Sequence, residues 1–176
     1  MLGIGSCFPQ FSLTGVTSSE DDNAFTTITS EFNPGKWKLY FFWPKDFTFI
    51  CPTELVGFSN LNEEFAKRDC VIYGGSTDSE YVHLAWRQHN QALRGLKFAM
   101  LSDIKHELCH ALGIIDHIEG VAQRATFLVD PENKIRFVYV NDLDVGRNPH
   151  EVLRVLDALQ TGEKCPCAWS KGDATI

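Results

Sequence analysis

A change of period at Cys51 constrains this chain more than any other feature. Before it, Lys38 to Trp43 (KLYFFW) is a continuous apolar run after one lysine, the pattern of a strand buried on both faces. After it, Leu55, Phe58, Leu61 and Phe65 recur at three- and four-residue steps, with Glu63, Glu64, Lys67 and Arg68 between or after them. That spacing predicts an amphipathic helix of about four turns. Pro52 suits its first turn, where no amide hydrogen is needed.

The alternation continues. Cys70 to Tyr73 (CVIY) reads as a second buried strand closed by Gly74-Gly75, and Asp78-Ser79 as the cap of a helix from about Ser79 to Leu93. Phe98 to Leu101 is a short strand. Ser102-Asp103 starts a helix that Gly113 ends. Ala125 to Val129 and Ile135 to Val140, joined by Asp130-Pro131-Glu132-Asn133, predict an antiparallel hairpin. Pro149 to Leu159 is a final helix stopped by Gly162. Strands alternating with helices require parallel pairing through helical crossovers, and the hairpin adds antiparallel pairing. The expected fold is α/β and thioredoxin-like, a mixed central sheet flanked by helices. Residues 1–162 form its one domain. Residues 163–176 (EKCPCAWSKGDATI) show no period and read as an extended C-terminal tail, and Ser18 to Asn23 as a polar loop.

Bulk properties narrow the function. A chain of 176 residues suits one sizeable core, and 44% hydrophobic with 22% charged residues is globular composition. The net charge of −7 argues against a general nucleic-acid or anionic-membrane surface. No segment approaches the roughly 18 uninterrupted apolar residues of a membrane span. The opening MLGIGSCFPQFSL has no basic residue before its apolar stretch, so it does not read as a secretory signal, and a cytoplasmic location is expected. In such a reducing compartment cysteines signal core filling, metal binding or redox chemistry, and these six are expected to divide between filling and chemistry.

Cys51 stands where redox chemistry is favoured. A cysteine in a helix's first turn meets unpaired backbone N–H groups and the positive end of the helix dipole, which stabilise the nucleophilic thiolate. Thr48 lies three residues earlier, within a turn's reach of the sulfur. Pro44 and Pro52 stiffen the backbone on either side and bring no N–H donor. A lone cysteine at a helix start is more often a small apolar residue. The spacing of Pro44, Thr48 and Cys51 turns the reading toward chemistry.

Pro44 to Cys51 (PKDFTFIC) matches Pro-x-x-x-Thr-x-x-Cys, and on this octet the chain resembles the peroxiredoxins. The longer string FFWPKDFTFICPTE resembles their alkyl hydroperoxide reductase C branch, the typical two-cysteine type. The likeness extends to Phe25–Thr29, His83-Leu84-Ala85-Trp86, Leu101-Ser102-Asp103, Arg124-Ala125-Thr126-Phe127 and Cys165-Pro166. It implies a thiol-dependent peroxidase for hydrogen peroxide and organic hydroperoxides. Cys51 would attack the peroxide and become a sulfenic acid, Thr48 would orient the substrate, and Arg124 would hold the thiolate and polarise the O–O bond. Pro44 would shield the intermediate from water, Glu54 would tether the arginines, and Trp86 would help pack the site. Read alone, Arg124 is an ordinary surface charge and Glu54 a first-turn carboxylate meeting the helix dipole.

A sulfenic acid needs a second thiol before it is oxidised further. Cys165 and Cys167 are the candidates in the tail, and which of them resolves stays open. The resemblance implies an intersubunit disulfide in a homodimer, a ring of such dimers, and recycling by thioredoxin or a dedicated disulfide reductase. It implies no cofactor and no metal. Cys165-Pro166-Cys167 is at most a partial zinc site, and His106, Cys109 and His110 share a helical face that more often belongs to half-buried side chains than to a metal. Cys7 and Cys70 read as structural. A disulfide-exchange enzyme would want a second cysteine after Pro52-Thr53-Glu54, and a chaperone or structural ring would not need Cys51 at all.

Overall fold

Two strands that the apolar pattern does not announce open the molecule. In a computed structural model describing residues 1–176, β1 (Ser12–Val16) and β2 (Phe25–Thr29) pair antiparallel, with a single 3-10 turn (Asp21–Asn23) between them. Both are only partly buried, so neither shows a clean apolar alternation. Gly15 is what lets β1 lie flat, since a Cβ there would sit 2.8 Å from Ile28.

The chain continues as β3 (Trp37–Phe42), α1 (Cys51–Asn60), α2 (Asn62–Ala66), β4 (Cys70–Ser76), α3 (Glu80–His89), β5 (Ala99–Ser102), α4 (Glu107–Leu112), β6 (Arg124–Val129), β7 (Ile135–Asn141) and α5 (Pro149–Thr161). The seven strands form one sheet in the order β2-β1-β5-β4-β3-β6-β7. β3 pairs parallel with β4, and β4 with β5, while β6 runs antiparallel to both β3 and β7. This is the expected mixed thioredoxin-like sheet with flanking helices.

β3 is buried on both faces, as its unbroken apolar run requires. Leu39, Phe41 and Trp43 enter one core with Leu55, Phe58 and Leu156, while Tyr40 and Phe42 enter a second core with Leu108, Leu112 and Phe127. Phe41 stacks on Phe58 with ring centroids 4.3 Å apart, which fixes α1 against the sheet. No helix is long and apolar enough to cross a membrane.

Several boundaries depart from the sequence reading, each for a physical reason. Gly74 and Gly75 do not close β4 but lie within it. A Cβ on Gly74 would meet Trp43 at 2.7 Å and Phe41 at 2.9 Å, so the glycine makes room for aromatic rings rather than for a turn. The expected four-turn helix breaks at Leu61 (φ −92°, ψ 3°) into α1 and α2, with the weak helix formers Asn60 and Asn62 on either side. α3 stops at Asn90, whose side chain accepts from the Ala92 N–H and so competes with continued helix. Ser102 ends β5. Asp103 does not begin α4 but caps it from a distance, accepting from Leu108 N at 3.1 Å and Cys109 N at 2.7 Å. His106 lies between them in the left-handed region at φ 61°.

Residues 163–176 hold no helix or strand, yet they do not project from the body. Trp169 is buried against the fold, its carbonyl accepts from Arg154 Nη1 at 2.7 Å, and Lys171 pairs with Asp157 at 3.1 Å.

Candidate active site

Cys51 is the first residue of α1, and Pro52 follows in the first turn. The segment before it is pinned from below. Trp43 Nε1 donates to Asp46 Oδ1 at 2.7 Å, and Asp46 Oδ2 bonds His83 Nδ1, also at 2.7 Å. Burial pushes the Asp46 carboxyl up, against the opposing pull of His83 and Trp43. Phe47 adopts φ 56°, a left-handed turn that a bulky residue seldom takes, and its ring lies 6.0 Å from that of Trp86. Thr48 comes next, and its hydroxyl donates to the Lys45 carbonyl at 2.9 Å.

A cavity of about 570 Å³ opens at this point, and Pro44, Thr48, Cys51 and Arg124 all line it. The Cys51 side chain is almost wholly buried. Arg124, the first residue of β6, brings Nη1 to 3.4 Å from the Cys51 sulfur. The same nitrogen donates to Glu54 Oε2 at 2.7 Å, and Arg124 Nε donates to the Leu143 carbonyl at 2.7 Å. The guanidinium is therefore held at both ends with one N–H edge turned to the sulfur. A charged donor and the first turn of a helix thus meet at the same residue.

Arg147 is the residue that sequence reasoning missed. It precedes α5 by two positions and is buried at 7% exposure. Its Nε donates to Glu54 Oε1 and its Nη2 to Glu54 Oε2, each at 2.8 Å, and its backbone N–H adds a bond to Oε1 at 3.0 Å. Burial pushes the Glu54 carboxyl up, but the hydrogen bonds and charge of Arg147, then the charge of Arg124, outweigh it and hold the group below the usual carboxylate range. Glu54 thus sits between two guanidiniums and fixes both. In the sequence Arg147 stands in a polar loop (GRNP) with no periodicity to mark it.

The other cysteines separate by environment. Cys70 and Cys109 are buried, and burial pushes both thiols far up, the carboxylate of Asp103 adding to the effect at Cys109. Cys109 is fully enclosed while His110 is exposed, so the cysteine and the histidines do not share an open face. Cys7 is not core filling: its thiol is exposed, and only its backbone is structural, bridging to Lys134. Cys165 and Cys167 line a separate hollow of about 540 Å³ against α5, which shares no lining residue with the Cys51 cavity. The Cys165 sulfur donates to the Ala158 carbonyl at 3.7 Å and lies 3.5 Å from the Thr161 hydroxyl, at the C-terminal end of that helix.

Known proteins resemble this chain along most of its length. Residues 4–138 match the model of the AhpC/TSA family. The alkyl hydroperoxide reductase C of Mycobacterium tuberculosis (strain H37Rv) is 52% identical over all of this chain and 94% of its own length. The protein of that name from Mycolicibacterium smegmatis is 50% identical over the same shares. Among solved structures, M. tuberculosis AhpC superposes with a TM-score of 0.88 at 51% identity, covering 96% of this chain and 99% of that one. The reduced 2-Cys peroxiredoxin of Plasmodium vivax gives 0.92 at 32% identity, covering 99% and 93%.

Proposed function

The chain belongs to the AhpC/TSA family and is a thiol-dependent peroxidase, a peroxiredoxin; from that premise we propose that Cys51 is the attacking sulfur and that Thr48, Pro44, Arg124, Glu54 and Arg147 are its machinery. The substrates are hydrogen peroxide and organic hydroperoxides. The Cys51 thiolate attacks the hydroxyl-bearing oxygen of ROOH. An S–O bond forms as the O–O bond breaks, the sulfur is oxidised to sulfenic acid, and RO⁻ leaves to take a proton from solvent as the alcohol. With hydrogen peroxide the product is water.

Each neighbour has a distinct task. The Thr48 proton is committed to the Lys45 carbonyl, so its oxygen is free to accept from the peroxide O–H and turn the terminal oxygen toward the sulfur. Arg124 touches the sulfur and projects into the same cavity, where it meets the charge that moves onto the departing oxygen. One fixed donor of this kind is worth about 3 kcal/mol at the transition state. Pro44 is buried in the cavity wall and adds no N–H to compete for the sulfur. Glu54 and Arg147 are positioning residues that act through Arg124.

Resolution then requires movement. Cys51 is enclosed at the start of α1, and the tail thiols lie in another hollow. We assign resolution to Cys165 or Cys167 from a second copy of the chain, whose thiol condenses with the sulfenic acid to give an intersubunit disulfide and water. A dithiol protein, thioredoxin or a dedicated disulfide reductase, recovers both thiols by exchange. Residues 163–176 serve as a tail separable from the 1–162 domain, on a homodimer that assembles further into a ring. Six unpaired cysteines suit a reducing, cytoplasmic setting.

The contact between Arg124 and Cys51, inside a cavity shared with Thr48 and Pro44, carries this reading. Peroxide consumption by Cys51→Ser in the presence of a dithiol tests it. The variant is expected to lose turnover entirely while remaining folded. Undiminished turnover would assign the chemistry to another cysteine.

A further inference from the structure

The mouth of the Cys51 cavity carries charge of one sign. Asp116, Glu119, Asp142 and Asp144 all line it. Only two cations line it with them, and both are engaged. Lys45 pairs with Glu119 at 2.6 Å, and Arg124 is bound to Glu54 at 2.7 Å on the buried side. Four carboxylates against one paired lysine and one paired arginine leave the entrance negative.

Three of these carboxylates have partners within the chain: Glu119 is paired with Lys45, and two accept backbone hydrogen bonds. Asp116 Oδ1 accepts from the Ile118 and Glu119 N–H groups at 3.0 and 2.9 Å, and Asp142 Oδ1 accepts from Asp144 N–H at 2.9 Å. Asp144 is exposed, and its carboxylate makes no hydrogen bond within the chain. Apolar surface lies among them, from Phe49, Ile50, Val121 and Leu143, with Phe49 itself 93% exposed. The same cavity thus offers an apolar wall for a substituent, a buried arginine for the reacting oxygens, and carboxylates where any further group must pass.

We propose that this entrance selects neutral hydroperoxides with apolar substituents against those bearing a carboxylate or phosphate, and that the carboxylates at 116, 119, 142 and 144 set the selection. The inference rests on Cys51 being the attacking sulfur. An anionic substituent meets like charge at the rim before the peroxide oxygens reach Arg124, while a neutral one does not. A cleft lined by one sign of charge changes the local concentration and the on-rate of charged ligands, and salt weakens the effect. The chain's overall charge of −7 adds a field of the same sign.

The test compares tert-butyl hydroperoxide with its carboxylate analogue, 3-hydroperoxy-3-methylbutanoate, as kcat/KM on the full-length protein with a dithiol reductant. In the unmodified protein the neutral peroxide is expected to react faster. Raising salt from about 20 mM to about 0.5 M is expected to accelerate only the anionic one. Asp144→Asn is expected to raise the anionic-to-neutral ratio about threefold, the Boltzmann weight of one unit charge about 6 Å away in water, and Asp144→Lys about tenfold. A ratio near one at low salt with no salt dependence would overturn the proposal without any variant. So would an unchanged ratio in both variants while the neutral peroxide still turns over. Failure of the unmodified protein to consume tert-butyl hydroperoxide would instead remove the peroxidase site on which the proposal rests.

Discussion

Replacing Glu54 by glutamine keeps the shape of the site and removes its central charge. Glu54 accepts four hydrogen bonds, one from Arg124 and three from Arg147. Glutamine has one oxygen, and its amide hydrogens would face guanidinium donors. About two charge-assisted bonds are lost at about 1.5–3 kcal/mol each. The total, about 3–6 kcal/mol, overlaps the cost of about 3–5 kcal/mol for breaking a buried ion pair by removing one partner. Urea unfolding at neutral pH is expected to show a lower midpoint with an unchanged slope. Because folding depresses the Glu54 carboxyl, its contribution is fully present above the unfolded value of about 4.3 and is lost as pH falls through the lower folded value. The gap between the two proteins should therefore be widest near neutrality and close in acid. Adding Arg147→Met to Glu54→Gln should recover part of the loss, since one buried cation is then gone. A loss under about 1 kcal/mol, or a gap that persists unchanged below pH of about 3, would refute the argument that Glu54 acts as an ionised clamp.

Other perturbations read single parts of the site. Arg124→Gln is expected to lower kcat/KM for peroxide by about 10²–10³, measured as initial rates, because one preorganised donor at the reacting atoms is lost. Thr48→Val should reduce the same constant while Thr48→Ser largely keeps it, which separates the hydroxyl from the methyl. Gly74→Ala should lower the melting temperature, through about 1–3 kcal/mol of overpacking against Trp43 and Phe41, without changing the cysteine chemistry. Mass spectrometry of peroxide-treated Cys165→Ser and Cys167→Ser under non-reducing conditions should show that Cys165→Ser loses more of the interchain disulfide to Cys51; the reverse order would assign resolution to Cys167.

Much of the fold was legible because burial on both faces writes an unbroken apolar run. KLYFFW and CVIY declare β3 and β4 for that reason, and the hairpin of β6 and β7 follows from its short turn. The β1–β2 hairpin was silent because its residues are half exposed, so solvent blurs the alternation. Gly74 misled because a glycine reads as a turn, while here the reason for it is an aromatic ring across the sheet. At the site, Cys51 and Thr48 are close in sequence and could be linked by spacing alone. Arg124 gained meaning only from resemblance, and Arg147 had no local signal, because its partner Glu54 lies 93 residues away. Long-range ion pairs leave no period in a chain.

The placement of Cys51 and Cys165 at opposite kinds of helix end has a consequence for timing. One sulfur lies at the start of α1, the other against the Ala158 carbonyl near the end of α5. A tail sulfur bonded to the Ala158 carbonyl must leave that contact before it can meet another thiol or sulfenic acid. Under the proposed reaction the tail must unseat from α5 before it can crosslink, a step that the attack on peroxide does not require.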